Sequence, residues 1–118
     1  MQITFSGNNS ILMTYWRQGL MPSVKKGLYG NILTQKNVSL EHLQPASKRG
    51  HTALYNLALA TKYKNNLRKN SPLSQFLTKE QAENYLKQFK GIYLPEFNGD
   101  VYIKRVKETI IRCFRKNL

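Results

Sequence analysis

The chain has 118 residues, 41% of them hydrophobic and 21% charged, which suits a single globular domain over 1–118 with a modest core. Its charge is less ordinary: 19 Lys and Arg against 6 Asp and Glu give a net +13, and such a balance favours a polyanionic partner. No apolar run approaches the length of a membrane span, and a lone cysteine, Cys113, excludes both an intrachain disulfide and a CxxC zinc clamp.

In chain order, Ser10 can cap a short helix carrying Ile11, Leu12, Tyr15, Trp16 and Leu20, with Gly19 near its end. The spacing explains Tyr15 and Trp16 as core residues rather than base-stacking aromatics. Pro22 suits a helical first turn, and Val24, Leu28 and Ile32 recur at i, i+4 and i+8, so a second helix is expected there despite Gly27 and Gly30. Val38 to Leu43 reads as a short strand ended by Pro45, and 46–51 as a loop. Asn56 to Thr61 reads as a second strand. The basic stretch Lys62 to Lys69 opens a helix, and Pro72 closes it. Thr78-Lys79-Glu80-Gln81 is a capping-box pattern before Ala82, Tyr85, Leu86 and Phe89, which fall on one helical face. After a connector over 91–99, Asp100 is expected to cap a last helix. Its apolar face is Ile103, Val106, Ile110 and Phe114, and its basic face carries Lys104, Arg105, Lys107, Arg112, Arg115 and Lys116. That basic face fits solvation or phosphate contact equally well. Cys113 lies in the apolar rhythm and reads as a buried core thiol.

The chemistry concentrates between Val38 and Lys69. Glu41 is the only acidic residue before Glu80, and it directly precedes His42. Cutting a polyanion with a metal needs a hard cation on the scissile phosphate, a base for the attacking water and a cationic surface for the backbone. Glu41 offers an oxygen ligand, His42 a general base of the usual kind, and Asn65 or Asn66 an amide oxygen. Carboxylate plus amide oxygen suits Mg²⁺ or Mn²⁺ better than zinc. The bland alternatives are a structural histidine and a salt bridge from Glu41 to one of the many lysines. Adjacent strand residues also point to opposite faces, so Glu41 and His42 share a site only where the strand ends or bulges.

The pieces Glu41-His42-Leu43-Gln44-Pro45, Ser47-Lys48-Arg49-Gly50, Asn56-Leu57 and Lys64-Asn65-Asn66-Leu67-Arg68, in this order, resemble the HNH endonucleases. The resemblance implies an α+β fold. Its centre is a ββα-metal core over 38–70, two short antiparallel strands and a helix around one divalent ion. An N-terminal helical segment and a C-terminal helical extension over 78–118 flank that core. It implies Glu41 and Asn65 as metal ligands, His42 as general base, Asn56 as the residue that orients the base and ties down the loop, and Arg68 as a phosphate contact. It further implies a nuclease acting on DNA, expected to be double-stranded, with Lys48, Arg49, Lys62, Lys64, Arg68 and Lys69 as the nucleic-acid surface. This chain departs from the family pattern at Thr61 and Lys64, where zinc-binding cysteines would fall, so no structural zinc is expected. It departs again at Arg49, which stands in the glycine pair, and at Asn65, which stands where His is usual. Two further readings remain: a non-catalytic basic nucleic-acid-binding module, and a subunit of a larger DNA-processing complex docked through the last helix. A lone thiol and the lack of a secretory signal pattern suggest the cytoplasm, and the compact zinc-free form suits a phage or mobile-element protein.

Overall fold

A computed structural model describes residues 10–45 and 53–115. Short helix α1 (Ile11–Arg17) is capped by the Ser10 hydroxyl, which accepts from the Leu12 amide at 3.0 Å. It buries Leu12 and Tyr15, as its spacing predicts, and the Trp16 indole donates to the Val24 carbonyl at 2.7 Å.

The helix expected after Pro22 does not form. The chain instead turns at Gly27–Gly30, closed by an antiparallel bridge between Lys26 and Ile32. Gly27 explains why. A Cβ there would stand 3.0 Å from the Ala60 Cα and 3.1 Å from the Leu59 carbonyl oxygen, so only glycine admits this approach to the neighbouring strand. The next residue, Leu28, then donates its amide to Leu59 at 2.8 Å. Val24 and Leu28 are buried, while Ile32, the third residue of the apparent rhythm, is exposed.

Strands β1 (Val38–His42) and β2 (Leu57–Thr61) pair antiparallel in the register Val38↔Thr61 to His42↔Leu57. A 3-10 turn, Leu54–Asn56, leads into β2, so Asn56 precedes the strand rather than opening it. All five β2 residues are buried. Thr61 ends the strand and caps α2 (Lys62–Arg68), its hydroxyl accepting from the Lys64 amide. The helix stops at Lys69, whose positive φ of 49° breaks it before Pro72 is reached.

The predicted capping box is present in α3 (Lys79–Lys87): Thr78 and Gln81 exchange side-chain and backbone hydrogen bonds. A small hairpin, β3 (Tyr93–Leu94) and β4 (Phe97–Asn98), fills the connector and delivers α4 (Gly99–Arg115). Asn98, not Asp100, caps this helix by accepting from the Val101 amide. Asp100 sits one step inside and instead accepts from the Gly91 amide and the Tyr93 hydroxyl. The buried stripe of α4 is Tyr102, Val106, Thr109, Ile110 and Cys113, rotated from the expected one, and Ile103 and Phe114 are left half-buried. Four α-helices and two small antiparallel sheets among the described residues make an α+β domain.

A tyrosine relay ties these layers together. The Leu59 amide donates to the Tyr85 hydroxyl, which pairs with the Tyr102 hydroxyl, which donates to the Leu57 carbonyl. The relay satisfies the outer edge of β2 that β1 leaves open, and an unpaired buried strand edge would be costly. Among the described residues no helix is long and apolar enough to cross a membrane.

Candidate functional site at the hairpin and helix seam

The free edge of β1 is met by α2. Asn65 and Arg68 are three positions apart and so share one face of the helix. The Asn65 amide nitrogen donates to the Leu40 carbonyl at 2.9 Å and lies 3.1 Å from the Ser39 hydroxyl. Arg68 donates to the carbonyls of His42 at 2.6 Å and Leu43 at 2.7 Å. Asn66 is exposed, which decides between the two asparagines: Asn65 is the one aimed at β1. Because its nitrogen faces a carbonyl, its Oδ1 is the end turned away from Leu40.

Glu41 is buried, at 2% exposure, and faces the same seam. Its Oε1 accepts from Arg68 at 3.0 Å and its Oε2 from the Tyr29 hydroxyl at 3.0 Å. Burial pushes its carboxyl above the usual carboxylate range, against the opposing pull of Arg68 and Tyr29. Burial also raises the Tyr29 hydroxyl, and the neighbouring Glu41 charge raises it further. Tyr29 and the structural part played by Arg68 escaped the sequence reading. One signal was available: a lone carboxylate in so basic a stretch must find a cation, and Arg68 shares a helical face with Asn65.

His42 is the last residue of β1 and is half-buried. The ladder runs to it without a bulge and continues as the Leu43 amide donates to the Asn56 carbonyl at 2.9 Å. Strand alternation therefore directs Glu41 and His42 to opposite faces of the ribbon. The segment beyond His42 is held by Asn56, which is buried. Its Oδ1 accepts from the Gln44 amide at 2.9 Å and its Nδ2 donates to the Gln44 carbonyl at 3.1 Å. An asparagine side chain thus mimics a further strand rung and fixes the exit of the chain toward the loop.

The predicted nucleic-acid residues divide. Lys62 and Lys69 are exposed and Lys64 is half-buried. Lys48, Arg49 and the loop histidine His51 lie outside the described residues, as does Lys116. Arg68 departs from expectation: at 1% exposure it cannot meet a phosphate, because its four hydrogen bonds, the last to the Ser71 carbonyl at 3.0 Å, close it inside the seam.

The donor chemistry of the seam suits a cation, since a carboxylate and an amide oxygen are hard ligands and Glu41 already holds a positive charge in the guanidinium of Arg68. A divalent ion on this carboxylate would compete with Arg68 at Oε1 and with Tyr29 at Oε2. Among the described residues no three His, Cys, Asp or Glu side chains gather into a metal-binding group. Searches against family models, curated proteins and solved structures return no match for this chain.

Proposed function

We propose that this chain is a metal-dependent endonuclease that hydrolyses DNA phosphodiester bonds on a ββα core, with His42 as general base. The observation that carries the reading is the order of parts along one hairpin and one helix. His42 stands at the strand end, Asn56 pins the chain two residues further on, and Asn65 faces β1 from the helix. The same positions carry the resemblance to the HNH endonucleases.

In this reading His42 takes a proton from water as the water oxygen attacks phosphorus in line, and the opposite phosphorus–oxygen bond breaks, its oxygen leaving with the bonding pair. Asn56 keeps the strand exit, and with it the base, in one position. Lys62, Lys64 and Lys69 hold the phosphate backbone, joined by Lys48 and Arg49. A Mg²⁺ or Mn²⁺ ion on Glu41 and Asn65 would neutralise the charge that develops on the phosphate and the leaving oxygen.

A specific observation favours a second reading, the non-catalytic nucleic-acid-binding module. Both carboxylate oxygens of Glu41 are engaged by Arg68 and Tyr29, and the regular ladder turns His42 away from them. Nicking of supercoiled plasmid with Mg²⁺ or Mn²⁺ separates the two. The endonuclease reading expects cleavage by the native chain and its loss in His42→Ala, with DNA binding kept in a gel-shift assay. Unchanged cleavage by His42→Ala removes the base. Salt-sensitive binding with no cleavage by the native chain leaves the binding module.

A further inference from the structure

Helices α3 and α4 leave between them a groove of about 890 Å³. Its floor is Ala82 and Leu86 from α3 and Ile103, Ile110, Ile111 and Phe114 from α4. Residues that the sequence pattern assigns to the core thus line an open trough. Ile111 is 43% exposed and Ile103 and Phe114 are half-buried, because the Tyr102 side of α4, not the Ile103 side, turns inward. An apolar concavity of this size on a small, strongly charged domain marks a place where another surface sits.

The rim states what kind of surface. Lys79, Lys87, Lys90, Lys107 and Arg115 line the groove, against the single carboxylate of Glu83. Phosphate groups would match the rim but not the floor. A second copy of the chain would match the floor but would bring its own net +13 against five cations. The groove walls run along α4 from Ile103 to Arg115, about 18 Å of helix at 1.5 Å per residue, which accommodates roughly three turns of a partner helix. From this geometry we infer that the α3–α4 groove is a docking site for an acidic amphipathic helix of another protein, apolar residues down and carboxylates toward the lysines. The groove shares no lining residue with the hairpin seam, and binding here would bring the basic domain to a protein partner.

Fluorescence anisotropy tests this with a labelled peptide bearing Leu at i, i+3, i+4 and i+7 and Glu elsewhere, and a scrambled peptide of identical composition. The expected result is binding of the amphipathic peptide about tenfold or more tighter than the scramble, the factor that burial of an aliphatic side chain supplies. Ile111→Glu, at an exposed position, should erase that difference, and Lys107→Glu should weaken the amphipathic peptide more than the scramble. Equal binding of both peptides to the native chain would reduce the effect to bulk charge and overturn the proposal. A concentration-dependent dimer in sedimentation that Ile111→Glu abolishes would also overturn it, by assigning the groove to a second copy. An amphipathic preference that survives Ile111→Glu would place the binding elsewhere and reject the groove.

Discussion

The hairpin–helix seam and the α3–α4 groove invert the ordinary arrangement of a protein in opposite ways. In the seam, a carboxylate and a guanidinium lie inside, at 2% and 1% exposure, and among the described residues no buried side-chain nitrogen or oxygen lacks a partner. In the groove, Ile111 is exposed and Ile103 and Phe114 are only half-buried. Buried charge and exposed apolar surface are the two deviations that carry information, because both cost free energy unless something compensates. The compensation differs. In the seam it is internal: Arg68 gathers Glu41, His42, Leu43 and Ser71, and so clamps the end of α2 to the end of β1. In the groove the compensation is external. A closed seam fixes one geometry, whereas an open groove waits on a partner.

The largest effect should come from opening the seam. Arg68→Met leaves Glu41 buried with only Tyr29 as partner and strips three backbone carbonyls of their donor. Breaking a buried pair from one side costs about 3–5 kcal/mol, read as a lower urea midpoint at unchanged m-value. A loss below about 1 kcal/mol would mean that the guanidinium does not hold the seam. The same variant sharpens the functional question. With Arg68 gone, Glu41 and Asn65 are free to meet Mn²⁺, and the endonuclease reading expects added Mn²⁺ to restore part of the lost thermal stability. A melting temperature indifferent to Mn²⁺ would make Glu41 a structural residue alone.

Much of the fold was legible because its signals are local. Ser10 and Thr78 each announce a helix start within four residues, and the short apolar stretches around Leu40 and Leu59 form strands. What failed was set at long range. The rhythm Val24, Leu28, Ile32 is helical on paper, but Gly27 answers to the backbone of Ala60, far along the chain. The inward face of α4 was misplaced by part of a turn because Tyr102 is drawn to the Leu57 carbonyl, 45 positions away, which no periodicity encodes. In the site, the positions of Asn56 and Asn65 follow from their neighbours in strand and helix. The pairing of Glu41 with Arg68, 27 positions apart, depends on how α2 crosses the edge of β1, and composition could supply only the need for a cation, not its identity.

A second test separates the buried interior from both regions. Tyr29, Tyr85 and Tyr102 are all pushed above the ordinary tyrosine value, in each case chiefly by burial. Raised folded values mean that the unfolded chain loses these protons first. Their contribution is complete below about pH 10 and falls as pH rises past it toward the folded values. Each such group steepens the alkaline decline by about 1.4 kcal/mol per pH unit. Tyr29→Phe should therefore show a shallower fall than the native chain when urea unfolding is followed from pH 9 to about pH 11. Identical slopes would place Tyr29 in contact with solvent, and the seam would then be open where the structure closes it.

The smallest expected effect is the one that best separates groove from core. Ile111→Ser removes an aliphatic side chain from the groove wall, yet this position is 43% exposed and little apolar area is given back to water. A surface substitution of this kind stays within about 0.5 kcal/mol. Leu86→Ala, by contrast, empties a floor position only 5% exposed and should cost about 2–5 kcal/mol, the range for a buried leucine. The contrast matters more than either value. If the two variants lost similar stability, Ile111 would be behaving as a core residue, covered in the free protein, and the groove would have no vacancy for a partner helix. If Ile111→Ser is silent while Leu86→Ala is not, the boundary between what the domain needs to fold and what it holds open for binding runs through the groove, with Leu86 on one side of it and Ile111 on the other.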